Sequence, residues 1–349
     1  MRFVSVVGAR PQFIKVAMVS KMLRQSHEEQ IIHTGQHYDY CLSEQFFQEL
    51  AIPAPDYHLA CGSTSHGAQT GAMLTAIEQV LLKEHFDWVL VYGDTNSTLA
   101  AALAAAKLHI PVAHIEAGLR SYNRAMPEEI NRVLTDHLAD RNFCPTEMAR
   151  QCLEREGITR GVSVVGDVMY DMLLSVQPLL AERAAQLLPR LHVEPGNYLL
   201  ATVHRAANTD DPRTFHSIVH SFNKLKYPII FPAHPRARAC IARYNVAFKK
   251  HVLVIDPPGY IDMLALQRSA FRILTDSGGI QKEAFFLGVP CITLRSETEW
   301  RETVVAGWNT LAGIHWRQII EAVARPAPAP VEKKLFGEGD AALRIAGSW

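Results

Sequence analysis

The sequence predicts an α/β chain built from two doubly wound parallel-sheet domains that face a cleft. Short β-branched runs recur along it, each followed by a Gly- or Asp-containing turn and then a helical pattern, the mark of βαβ units. These runs fall into two sets, one in each half. The length, 349 residues, leaves room for about two or three domains.

The first set opens at Phe3–Val7 and continues through Gln30–His33, Val89–Tyr92, Val112–Ile115, Asn142–Cys144 and Ser163–Val165. The second runs through Tyr198–Thr202, Ile229–Phe231, Val252–Ile255, Ile273–Thr275 and Cys291–Leu294. The join falls between Val168 and Pro195, where a polar, Ala-rich helical stretch ends at Val193-Glu-Pro195. The expected domains are therefore 1–170 and 171–325, with 326–349 as linker and tail. The linker begins in the Pro-Ala tract from Arg325 to Val331, whose stiff, extended composition carries no core pattern.

Composition narrows the class. Hydrophobic residues make up 48% and charged residues 20%, which excludes a disordered chain, a coiled coil and a collagen-like array. Thirty-five basic residues balance thirty-five acidic ones, so no global field attracts nucleic acid or an acidic membrane. The six cysteines, Cys41, Cys61, Cys144, Cys152, Cys240 and Cys291, form no C-x-x-C pair or framework, and reduced thiols in a cytoplasm fit them. Arg10 and Lys15 interrupt the apolar start before a signal-peptide core forms. The Ala-rich run Leu99–Ala106 ends at Lys107, far short of the about 20 residues a membrane span needs.

Parallel sheets present ligands at the carboxyl ends of their strands, so the residues just after each strand matter most. After the first strand, Gly8 permits a tight turn, Pro11 suits a helix start, and Arg10 and Lys15 flank it for an anion. The same residues also suit a solvated surface turn. Neither G-x-G-x-x-G nor a Walker loop is present there, so no nicotinamide or flavin is expected. Asp94 follows the third strand and Glu116 the fourth, while Glu128 and Glu129 lie in the first turn of a helix started by Pro127. Each has a structural reading, as a cap or as favourable charge at a helix start. Together they predict mutual repulsion, a raised pKa in at least one, and proton transfer.

In the second half, His204-Arg205 and His234-Pro-Arg236 follow successive strands and read as a diphosphate clamp. A metal is less well supported, because no metal-ligand spacing accompanies them. The turn Asp276-Ser277-Gly278-Gly279 opens a helix whose backbone N–H groups suit a phosphate, with the Ser277 hydroxyl as a further donor. Glu283, further along that helix, suits ribose hydroxyls, or else is a solvated helix-face glutamate.

At this point the chain resembles the non-hydrolysing UDP-N-acetylglucosamine 2-epimerases along nearly its whole length. The motifs that carry the resemblance are Gly8-Ala-Arg-Pro-Gln12, Thr34-Gly-Gln-His37, Gly93-Asp-Thr-Asn-Ser-Thr98, His114-Ile-Glu-Ala-Gly-Leu-Arg120, Pro127-Glu-Glu129, Asn131-Arg132, His204-Arg205 and Asp276-Ser-Gly-Gly-Ile-Gln281. The resemblance implies two Rossmann-like domains in the GT-B architecture. It implies Asp94, Glu116 and Glu128 as catalytic acids, with His204 assisting departure and return of the diphosphate. Arg10, Lys15, Arg132, Arg205, His234, Ser277, Gly278, Gly279 and Glu283 are the implied substrate-binding residues. The implied partner is a UDP-sugar, the implied assembly a homodimer in the cytoplasm, and no cofactor is called for.

Where the best-known members have Gly-Thr-Arg-Pro-Glu and Thr-Glu-Arg-Pro-Glu, this chain has Gly8-Ala-Arg-Pro-Gln12 and Thr298-Glu-Trp-Arg-Glu302. These variants resemble a subgroup that includes epimerases of UDP-2,3-diacetamido-glucuronic acid. The stretch after Val331 is shorter than the family pattern. Gln36 and His37 match part of a site where many relatives bind UDP-GlcNAc as an activator, but Cys61–His66 lacks the arginine expected there, which predicts weak or absent activation. A glycosyltransferase of the same fold, a hydrolysing epimerase and an idle UDP-sugar sensor are the rival readings.

Overall fold

All eleven strands expected from β-branched runs are present in the computed structural model, which describes residues 1–36, 46–62, 64–329 and 333–349. The described chain divides into two compact units, Met1–Ser175 with Lys333–Trp349, and Val176–Glu332. Both are Rossmann-like α/β units, the domain composition of the GT-B class.

In the first unit the strands are β1 (Arg2–Val7), β2 (Glu28–His33), β3 (Tyr57–His58), β4 (Trp88–Tyr92), β5 (Val112–Ile115), β6 (Arg141–Cys144) and β7 (Val162–Val164). They form one parallel sheet in the order β3-β2-β1-β4-β5-β6-β7. The order reverses between β1 and β4, so the ligand crevice of a doubly wound sheet lies beyond their carboxyl ends. Gly8 and Gly93-Asp94 stand there. Phe3, Val4, Val6 and Val7 are buried, as strands covered on both faces require. The Ala-rich run lies in the helix Asn96–Lys107, and all of its alanines but Ala106 are core residues. Among the described residues no helix is long and apolar enough to cross a membrane.

The second unit contains β8 (Leu199–Thr202), β9 (Ile229–Pro232), β10 (Val252–Ile255), β11 (Arg272–Thr275), β12 (Cys291–Thr293) and β13 (Asn309–Leu311). They run parallel in the order β10-β9-β8-β11-β12-β13. Here the switch point lies between β8 and β11, where the chain continues into His204 and Asp276-Ser277. β3 and β13 are the two strands the sequence pattern does not announce. Both sit at sheet edges, and their residues, Tyr57-His58 and Asn309-Thr-Leu311, form no β-branched run.

The last residues return to the first unit. Trp349 packs on Phe3, Trp88 and Phe143, with ring centroids 4.9, 4.9 and 5.8 Å away. The Arg141 guanidinium lies over its ring and donates to the Ser348 carbonyl. Asp171 accepts the Ala342 N–H at 2.7 Å, at the start of the helix Ala341–Ala346.

Candidate active site

Gly8 adopts no left-handed backbone. A Cβ there would stand 2.0 Å from Thr34 Oγ1 and 2.3 Å from Ser97 Oγ, so the glycine serves close packing rather than the tight turn expected of it. The turn is shaped by Gln12, which the sequence reading named in a motif but gave no role. Its Oε1 accepts the N–H groups of Gly8 and Ala9 at 2.8 and 3.0 Å, and its amide donates to the Tyr92 carbonyl at 3.0 Å. One buried amide thus ties the tip of β1 to the tip of β4. Arg10, at the start of the helix Arg10–Leu23, lies over the Phe46 ring.

Lys15, one turn into that helix, is buried and donates to Glu116 Oε1 at 2.5 Å. Gly93 makes room for this pair: its φ is +62°, and a Cβ would stand 2.8 Å from Lys15 Nζ. Glu116 itself sits at φ +73°, a left-handed conformation that costs a non-glycine residue about 1–2 kcal/mol. Such cost persists where the surroundings fix the residue, and the Glu116 and Ala117 N–H groups both donate to the Phe143 carbonyl.

Asp94 Oδ2 accepts from the buried Arg132, which also donates to Glu129 at 3.0 Å. Asn131 holds the Asp94 carbonyl at 3.0 Å. Of the two adjacent glutamates, Glu129 is buried and structural: it accepts from the Ser121 N–H and hydroxyl and from the Tyr122 N–H. Glu128 is half-buried, without a hydrogen-bond partner among the described residues, on the helix face that carries Arg132 at i+4. The expected mutual repulsion among the acids is answered by cations: Asp94 has Arg132 and Glu116 has Lys15.

In the second unit the organising residue is Asp276, again one that sequence reading left as part of a turn. Fully buried, it accepts from the His204 and Arg205 N–H groups, from Asn208, and from His204 Nδ1 at 3.0 Å. Burial alone would raise its carboxyl, but His204 and these N–H donors outweigh that and hold it down at about 2. With Nδ1 engaged, the outer nitrogen of the half-exposed His204 ring is left for a ligand. His234 caps the helix Pro235–Arg243, accepting the Arg236 N–H at 3.3 Å, and its ring centroid lies 5.8 Å from that of His204.

Ser277 stands at the N-cap of the helix Gly278–Leu287 but makes no capping bond, which leaves its hydroxyl and the first-turn N–H groups of Gly278 and Gly279 for an anion. Gly278 has a second reason to be glycine: a Cβ would stand 2.2 Å from Glu299 Oε1. Glu299, from the variant Thr298–Glu302 stretch, bonds Arg295 at 2.9 Å and lies 3.6 Å from Arg205. Glu283 is buried, not solvated, and accepts from Gln267 at 2.7 Å. Gln36 accepts from the Ser97 N–H and hydroxyl at 3.0 and 2.7 Å, while His37 lies outside the described residues.

A family model described as UDP-N-acetylglucosamine 2-epimerase matches residues 21–348. A Methanococcus maripaludis protein named a UDP-N-acetylglucosamine 2-epimerase homolog is 52% identical, over 99% of this chain and 98% of its own length. The UDP-2,3-diacetamido-2,3-dideoxy-D-glucuronate 2-epimerase of Pseudomonas aeruginosa is 49% identical over the same shares. Among solved structures, the Methanocaldococcus jannaschii UDP-GlcNAc 2-epimerase in complex with UDP-GlcNAc and UDP superimposes with a TM-score of 0.93 at 42% identity, covering 99% of this chain and 98% of that one.

Proposed function

The chain belongs to the UDP-N-acetylglucosamine 2-epimerase family, and on that premise we propose that it inverts C2 of a UDP-N-acetylhexosamine without hydrolysing it. The observation that carries the reading is the set of acids at the switch point of the first sheet, with Asp94 and Glu116 each seated on its own cation. A proton on carbon adjacent to an acetal centre is weakly acidic, so its removal is coupled to loss of a leaving group. A carboxylate takes the C2 proton while the anomeric C1–O bond breaks on the opposite face; C1=C2 forms and UDP departs with the bonding pair. Return of UDP to C1 and of a proton to the other face of C2 completes the inversion.

Asp94, Glu116 and Glu128 are the proposed proton carriers. Lys15, Arg132 and Arg10 are proposed to offset negative charge as the proton moves. In the second unit, His204, Arg205, His234, Ser277, Gly278 and Gly279 are proposed to hold the diphosphate, whose charge grows as C1–O breaks. Glu283 is proposed to accept from the ribose hydroxyls. A homodimer working in the cytoplasm belongs to the same proposal, and sedimentation and cell fractionation test it.

The 49% identity to the P. aeruginosa enzyme and the Thr298–Glu302 variant support a 2,3-diacetamido-uronic sugar as substrate alongside UDP-GlcNAc. Proton NMR of the purified protein with each UDP-sugar tests this: the true substrate shows the anomeric and H2 signals of its C2 epimer growing in without free sugar. Release of free N-acetylmannosamine or a need for an acceptor sugar would contradict the proposal.

A further inference from the structure

Behind the proposed acids of the first unit lies a buried polar chain that the epimerisation scheme does not use. His114, on β5, is fully buried, with Nδ1 2.7 Å from Asp136 Oδ1 and Nε2 2.7 Å from the Gly93 carbonyl oxygen. The Gly93 carbonyl oxygen can only accept, so Nε2 carries the proton that joins them. Asp136 also accepts from Arg120 at 2.6 Å and from the Gly118 N–H, and Arg120 continues to Glu156 through two bonds at 2.7 and 2.6 Å. Within this row the buried Arg120 guanidinium is paired with a carboxylate on either side, Asp136 and Glu156.

The position of the first bond gives the row a consequence at the acids. The Gly93–Asp94 peptide is planar, so fixing the Gly93 carbonyl fixes the N–H and Cα of Asp94 on its other side. Glycine at φ +62° is the residue that lets such a peptide rotate most cheaply, and its Cα also abuts the Lys15–Glu116 pair. We propose that His114 is a positioning residue for the proton-transfer centre: its Nε2–H clamps the Gly93–Asp94 peptide, and Asp136 holds the ring for that purpose.

The proposal rests on the epimerase reading only for its activity readout. In wild-type protein labelled with 15N-histidine, NMR should show the fully buried His114 ring, identified by the signal that His114→Gln removes, protonated at Nε2. An unprotonated Nε2 in that ring would overturn the proposal, whether or not the chain turns over a UDP-sugar.

With UDP-GlcNAc or UDP-2,3-diacetamido-glucuronate, whichever the wild type converts, His114→Leu should lose about 10²-fold in kcat, the scale of a displaced catalytic group. UDP affinity by calorimetry should stay within about twofold, because the removed bond is not a binding contact. His114→Gln, which can still donate to the carbonyl, should recover part of the loss. Wild-type kcat in a folded His114→Leu protein, or equal losses in kcat and in UDP affinity, would overturn the clamp. If His114→Leu fails to fold, Asp136→Asn takes its place, with a selective loss of kcat expected and an unchanged kcat contradicting the proposal.

Discussion

At the residue scale, each unit divides its work between groups that face the ligand crevice and groups that hold them. Asp94→Asn removes a proposed proton carrier while leaving the second unit untouched, so turnover should fall by about 10²–10⁴-fold with UDP affinity retained. Ser277→Ala and Glu283→Gln should do the reverse, weakening UDP binding more than turnover. Equal effects of all three on UDP affinity, measured by calorimetry, would contradict this division. Gly93→Ala places a methyl 2.8 Å from Lys15 Nζ at φ +62°, so it should break the Lys15–Glu116 pair and cost about 1–2 kcal/mol in backbone strain. A variant with unchanged melting temperature and kcat would contradict that. That Asp94, Glu116 and His204 stand just beyond strand tips was legible in the sequence, from the strand-like run before each. The holding roles of Gln12, Glu129, Asp136 and Asp276 were not, because they depend on which distant groups each accepts from or donates to.

At the element scale, strands covered on both faces announce themselves as near-continuous apolar runs, and such runs led to β1, β4 and β8. The edge strands β3, Tyr57-His58, and β13, Asn309-Thr-Leu311, contain no such run. The contacts that dock the tail were not legible for another reason: they are single pairs such as Trp349 on Phe3 and Asp171 on the Ala342 N–H. Burial pushes the Asp171 carboxyl up to about 6, although the Ala342 and Ala341 N–H groups pull it down. The native state thus holds a proton more tightly than the unfolded chain, so this group's contribution to stability is full below about pH 4 and lost as pH rises through about 6. Asp171→Asn, which still accepts the Ala342 N–H, should be at least as stable as wild type at pH 7.5 and should flatten that window. Urea denaturation across pH checks it, and a variant markedly less stable at pH 7.5 would contradict it. Asp276 has the opposite sign: held down at about 2, it contributes fully above about pH 4 and its contribution fades as the pH falls towards 2.

At the scale of the whole molecule, the length and the two sets of strand-like runs predicted a two-domain α/β chain, the balanced charge spoke against a nucleic-acid field, and the order of motifs carried the family. The sugar is less legible, because substituents at C3 and C6 are met by side chains whose identity varies within one scaffold. Activation by UDP-GlcNAc is expected to be weak, and initial rates against UDP-GlcNAc should be hyperbolic; a sigmoidal curve abolished by Gln36→Ala would contradict this. The central claim is that inversion proceeds by loss and return of the C2 proton through an enzyme acid in contact with water. Turnover in heavy water, followed by proton NMR, tests it most directly. The product should acquire deuterium at C2 during the first turnover, with a trace of free UDP and the acetamido-glycal on long incubation, and Glu116→Gln or Glu128→Gln should suppress both signals while UDP still binds. Complete conversion with the original hydrogen retained at C2 would contradict the account.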